Sequence, residues 1–293
     1  MLATFAYLPL LCLFMHALQI HAAVNDVLPG DYFPLSAGQT TLSIYAYDRE
    51  LSGPYAGGHK LLEGAIDSQV LAFRAAHFFE VGATTLAGVA VLPWSNSSVT
   101  PAPLAAALGR QAKGVGDFRL GLTAWMINDI ASANYLGLSG MFIAPTGDYD
   151  AKQSLNPGEN RWRFVLSGGW QKDIAPTFLV ELSPEIVFYG NNDEYVGNRK
   201  LEQRTSYAIT GYLRWRASPA WHVHLGGQVN RGGETRINGI DQRNPANNDR
   251  LMAGMSFFLP EQQQLILRLA KDTQIDNGFR TGREIVLRYQ KGF

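Results

Sequence analysis

The chain has 293 residues, and its 25 basic side chains are balanced by 25 acidic ones, so it offers no electropositive surface for nucleic acid. Charged residues are only 17% of the total and glycine is abundant at 30 residues, while mean hydropathy is -0.09. That mixture suits neither a disordered chain nor a bundle of membrane helices, and leaves a soluble protein or a membrane β-barrel.

Residues Leu2 to Met15 form an apolar run of signal-peptide length, followed by His16, Gln19, His21 and the pair Ala22-Ala23. The expectation is a signal peptide over 1–23, cleaved near Ala22 or Ala23, with a retained anchor as the alternative. Cys12 lies inside that run behind the bulky Leu10 and Leu11, which does not fit a lipoprotein processing box. The exported chain therefore has no cysteine and no disulfide or thiolate chemistry. Residues 24–39 read as an N-terminal segment in the periplasm, ahead of the first strand.

From residue 40 the sequence alternates. A membrane barrel puts lipid on one side of every strand and water on the other, so apolar side chains recur with period two. On that test strands fall near 40–50, 67–78, 81–92, 115–127, 132–144, 160–172, 176–189, 203–217, 220–231, 248–259, 262–273 and 281–293. Alanine and glycine blur the first three. Over 178–188, Val180, Leu182, Ile186 and Phe188 are assigned to lipid and Glu181, Ser183 and Glu185 to the lumen. The next strand puts Tyr207, Ile209, Leu213 and Trp215 outward and Thr210, Tyr212, Arg214 and Arg216 inward. In 221–230, Trp221, Val223, Leu225 and Val229 face lipid, and His222, His224, Gln228 and Asn230 face water. Twelve strands is an even number, as a single-chain bacterial barrel requires.

Long polar links are expected at 51–66, 93–114, 145–159, 190–202, 232–247 and 274–280, alternating with short turns near 79–80, 128–131, 173–175, 218–219 and 260–261. With both termini periplasmic, every long link is extracellular. Aromatic residues such as Trp162, Trp170 and Trp221 cluster near strand ends, where rings favour the lipid–water interface. In the last strand Ile285, Leu287, Tyr289 and Phe293 share one face. The aromatic pair Tyr289 and Phe293 resembles the signal by which outer-membrane proteins are received by the barrel-assembly machinery. Lys291 departs from the apolar pattern, at little cost for a side chain able to snorkel.

Five phrases appear in order: GDFRLG at 116–121, PTGDYD at 145–150, NRWRF at 160–164, NNDEY at 191–195 and GGETRINGI at 232–240. Together they resemble the transporter-like family named for the meta-pathway of phenol degradation. The resemblance spans residues 40–293. It implies an outer-membrane protein encoded near genes for the breakdown of aromatic compounds, with membrane lipid and lipopolysaccharide as surroundings and a small aromatic or hydrophobic solute as partner.

The candidate lumen residues are Arg163, Glu181, Glu185, Arg214, Arg216, His222 and His224. Their charges read either as ion pairs that fill the barrel or as a constriction that sorts solutes by charge. His222 and His224 point the same way and could share a metal, but no third ligand is apparent, so neither metal nor cofactor is expected. Ser183 and Ser206 have no histidine beside them in sequence, and an enzyme is not expected. Loop carboxylates Asp148, Asp150, Asp193 and Glu194 read as solvated tips, with a calcium or lipopolysaccharide bridge as the alternative. Gly121, Gly137 and Gly169 would leave room inside the barrel, and Pro101 to Leu108 could form a short apolar helix at its mouth. Two functions compete: a passive channel for small aromatic or hydrophobic compounds, and a structural or surface-interaction barrel with a plugged lumen.

Overall fold

Every long strand of the chain finds its neighbours in sequence as its neighbours in space. The computed structural model describes residues 27–293, so the expected signal peptide lies outside the described residues. Twelve strands build the wall: β1 (Thr40–Ala56), β2 (Ala65–Val81), β3 (Thr84–Thr100), β4 (Arg119–Asp129), β5 (Asn134–Ile143), β6 (Arg163–Ala175), β7 (Phe178–Tyr189), β8 (Ser206–Ser218), β9 (Trp221–Gly232), β10 (Asn248–Leu259), β11 (Gln263–Ile275) and β12 (Gly278–Gly292). All pair antiparallel, and β12 returns to β1 from Thr41 opposite Gly292 to Tyr55 opposite Gly278. Closure leaves the sheet no free edge, which is the condition for strands to cross lipid. Among the described residues no helix is long and apolar enough to span a membrane.

The burial pattern is inverted relative to a water-soluble sheet. Leu71, Phe73, Leu120, Phe142, Leu182, Leu213, Leu225 and Leu287 are exposed on the outside, while Arg119, Arg214, Arg268, Glu284 and Arg288 are buried within. Exposed leucines and buried arginines on the same strands make sense only if the outer face meets hydrocarbon. Pro184 interrupts β7, where its missing N–H leaves the ladder to β6 without a pair between Ser167–Glu185 and Trp170–Leu182. Ser183 Oγ donates to Gly168 O at 2.7 Å and fills part of that gap.

Strands β1, β2 and β3 each have 17 residues, more than the roughly 9–11 that a tilted strand needs to cross the hydrocarbon. They stand above the rest of the wall at the long-loop end. The sequence reading ended the third strand at 92 because Pro93 follows. In the structure β3 changes partners there, from Arg119 opposite Val91 to Val115 opposite Trp94, so the proline falls where that ladder is interrupted anyway. The link expected over 274–280 is shorter than expected. Only Asp276 and Asn277 separate β11 from β12, because both strands continue beyond their last strongly alternating residues.

Candidate functional site: the lumen, its plug and its loop cap

The segment read as lying in the periplasm enters the barrel over its described residues. Leu28 is fully buried among the lumen-facing Tyr45, Tyr47, Val70, Ile266 and Val286. The backbone is tied to the wall at several heights: Gly30 N donates to Glu181 Oε2 at 2.7 Å, and Val27 O accepts from the Tyr212 hydroxyl at 3.0 Å. Tyr32 is held at both ends, its hydroxyl donating to Ser167 Oγ at 2.8 Å and its carbonyl accepting from Trp125 Nε1 at 2.9 Å. Asp31 binds Arg288 at 2.5 Å. These contacts satisfy polar groups that the lumen would otherwise leave bare.

The wall is shaped to take this plug. Gly137 and Gly169 face each other across β5 and β6. A Cβ on Gly169 would lie 1.9 Å from the Tyr32 ring, and one on Gly137 would lie 3.0 Å from it. The space that two of the predicted glycines leave open is thus occupied by Tyr32.

Cavities lie beside the plug, and the described residues outline two of them. One of about 520 Å³ lies at the short-turn end, bounded by Phe33 and Leu35 of the plug and by wall residues including Phe78, Phe258 and Arg216. The other, about 110 Å³, lies deeper; Tyr45, Tyr47, Val89, Val91, Met141 and Val165 give it apolar surface, and Asp31, Arg74, Thr123, Ser139, Ser167 and Glu185 give it polar groups.

The predicted lumen residues fall into separate groups rather than one cluster. Glu181 binds Arg214 at 2.5 Å, and Arg214 in turn reaches His222 Nδ1 at 3.0 Å. Arg216 pairs with Asp173 through two bonds of 2.5 and 2.6 Å. Glu185 lines the deeper cavity beside Tyr32. Arg163 is at the opposite end, 2.7 Å from Glu159. His222 packs on Phe258 and His224 on the edge of Tyr212, and no group of metal-binding side chains occurs among the described residues. Tyr289 and Phe293 are exposed on the outer side of β12 and just beyond it.

A further charged layer was missed. Glu284, fully buried, binds Arg49 and Arg268 at 2.5 Å each, and Arg250 joins Asp272 at 2.9 Å. The signal was present at Arg268, which stands between Leu267 and Leu269, but not at Asp272, flanked by Lys271 and Thr273, and only on one side of Glu284, which follows Arg283 and precedes Ile285. Burying an isolated charge costs several kcal/mol, so pairing is what permits these residues inside.

At the long-loop end the five sequence phrases meet. Asp117 of the first accepts the backbone N–H of Gly147 and of Glu159, both at 3.0 Å, clamping the second phrase and the approach to the third. Burial pushes the Asp117 carboxyl above its ordinary range, and those two N–H groups oppose the shift. Arg161, in the third phrase, binds Glu159 at 2.7 Å and Gln203 at 2.6 Å. Asn192 of the fourth phrase donates to Tyr149 in the second at 2.9 Å, and Thr235–Ile237 of the fifth pairs with 199–203 in a four-stranded sheet outside the barrel. The apolar helix α1 (Ala102–Leu108) turns Leu104, Ala105 and Leu108 onto Leu51, Ile66 and Val99, inside the tall strands. Of the loop carboxylates, Asp150 accepts the nearby N–H groups of Lys152 and Gln153 and stabilises its own turn, while Asp148 accepts the backbone N–H of Val115 from the preceding link.

A crystal structure of the COG4313 outer membrane channel from Pseudomonas putida F1 matches with a TM-score of 0.86 and 29% identity, covering 91% of this chain and 100% of that one. The β domain of the Bordetella autotransporter BrkA shares the fold alone, with a TM-score of 0.54 and 12% identity over 88% of this chain and 100% of that one. No curated protein sequence matches the chain. The protein is an outer-membrane β-barrel by its closed wall and by this likeness to an outer-membrane channel. The family described as "Putative MetA-pathway of phenol degradation" matches residues 52–288, and the chain belongs to that family.

Proposed function

We propose that this protein is a passive channel admitting small aromatic or hydrophobic compounds through the outer membrane, with both chain termini in the periplasm. One observation carries the reading: the deeper lumen cavity of about 110 Å³ is walled by Tyr32, Tyr45, Tyr47, Val89, Val91, Met141 and Val165. Its tyrosines, valines and Met141 give a ring apolar surface to lie against, and Ser167 and Glu185 on the same lining can bond a polar substituent such as a phenol hydroxyl. Membership of a family named for phenol degradation and the likeness to an outer-membrane channel support the same direction. The paired charges toward both ends of the lumen, Arg214 with Glu181 and Arg163 with Glu159, oppose a wide aqueous pore, because an ion in transit would have to compete with bonds already made. The seated plug favours a second reading, a closed structural barrel that passes nothing.

The test is uptake by whole cells of a labelled monoaromatic compound at limiting concentration, with and without the gene, beside conductance of the purified barrel in a planar bilayer. The expected result is slower uptake in the deletion strain, restored by the gene, with only small ionic conductance. Unchanged uptake of aromatic compounds would leave the closed barrel as the standing interpretation.

A further inference from the structure

Among the described residues, the lining of the larger cavity, at the short-turn end, carries four arginines and one carboxylate, Asp31. Four guanidiniums face it: Arg74, Arg214, Arg216 and Arg288. Three have carboxylate partners. Arg214 binds Glu181, Arg216 binds Asp173 and Arg288 binds Asp31, each at 2.5 Å. Arg74 makes no ion pair among the described residues. Its neighbours on the same rung are neutral, since it stands opposite Ser43 on β1, which in turn stands opposite Gln290 on β12. The side chain is half-buried, and it lines the deeper cavity as well, so it stands where the two spaces meet.

A guanidinium in a partly enclosed site attracts an anion more strongly than one in open water, because less solvent screens it. The remaining lining limits what that anion can be. Phe33 and Leu35 of the plug and Phe78, Leu179 and Phe258 of the wall present apolar surface to the same cavity. A small hydrated inorganic ion gains nothing from those groups, and Glu185, which lines the deeper cavity together with Arg74, disfavours a dianion. A carboxylate matches a guanidinium through two parallel hydrogen bonds, and a ring gains from the apolar lining.

We propose that this vestibule is a binding site for an aromatic monocarboxylate, with the carboxylate held by Arg74 and the ring on the apolar surface that Phe33, Leu35 and Phe78 provide. Arg74 is shared with the deeper cavity, and the site does not depend on the uptake proposed above.

The experiment uses the full exported chain, purified in an uncharged detergent and titrated with sodium benzoate, with benzyl alcohol as the neutral ring of similar size and sodium chloride as the small anion. Benzoate is expected to bind, and Arg74→Gln to weaken it about tenfold or more, the loss of one charge-assisted pair. Arg74→Lys is expected to retain part of the affinity, and benzyl alcohol binding to be the same in all three proteins. Heat-dependent gel mobility shows whether each variant is folded. If Arg74→Gln fails to fold, the wild-type comparison decides: benzoate must bind at least about tenfold tighter than benzyl alcohol and resist competition by equimolar chloride. Benzoate binding that is unchanged in Arg74→Gln, or displaced equally by chloride, overturns the proposal. Because binding is read without transport, either outcome leaves the uptake measurement to be judged separately.

Discussion

Single side chains in this barrel are judged by which of two solvents they meet. Leu225 is exposed on the outer face of β9, and three residues on, Gln228 is buried in the lumen with its amide donating to Thr210 Oγ1 at 3.0 Å. Leu225→Arg puts a charge toward hydrocarbon, at a cost of about 2–4 kcal/mol near the bilayer midplane. Gln228→Arg gives up two hydrogen bonds, one to Thr210 and one accepted from Asn230 at 3.3 Å, each worth about 1 kcal/mol, and keeps the charge on the watery side. The expected outcome, read as the folded fraction on a gel after insertion into lipid vesicles, is a large loss for the first variant and a small one for the second. Equal losses would refute the register. The same two-solvent rule explains why period-two alternation revealed the orientation of Arg214, His222 and His224 without any structure. Their partners were another matter. Arg216 was grouped with the nearby glutamates, yet it pairs with Asp173, near the end of β6.

At the scale of elements, the plug is the least predictable and most consequential piece. Its described residues show no alternation and no helical period, so their sequence reads as a linker. What places them is complementarity: a glycine pair on β5 and β6 accepts the Tyr32 ring, and Glu181, Ser167 and Arg288 present matching polar groups. Gly169→Ala should therefore collide with Tyr32 and destabilise the seated plug by about 1–3 kcal/mol, the usual cost of overpacking. The expected consequence is larger and noisier single-channel conductance. The double variant Gly169→Ala with Tyr32→Ala should lose the collision, so the two changes should not be additive in thermal unfolding. Additive effects would mean that the ring does not occupy the glycine slot. The helix α1 shows the opposite case. Its composition, APLAAAL, announced an apolar turn of helix, and the structure adds the surface that it covers.

For the whole molecule, the strand count, the closed antiparallel order and the lipid-facing belt all follow from local sequence, and they carry a topological expectation. A cysteine placed at Arg243, exposed in a long loop, should react with a membrane-impermeant maleimide on intact cells. One placed at Ala131, exposed in the short turn between β4 and β5, should react only after the outer membrane is permeabilised. The reverse pattern would invert the barrel. An insertion near Asn96, within the link expected over 93–114, is a poor probe because Asn96 is paired in β3 on both sides. By itself the sequence determined the barrel: alternation is a local property, and a strand that must face lipid and water together can satisfy both in only one orientation. Only the tertiary structure decided what fills the barrel. Pairing of Glu284 with Arg49 joins residues 235 positions apart, and pairing of Asp31 with Arg288 joins residues 257 apart. Such contacts depend on strand tilt, closure and the depth of a threaded segment, none of which leaves a period in the chain.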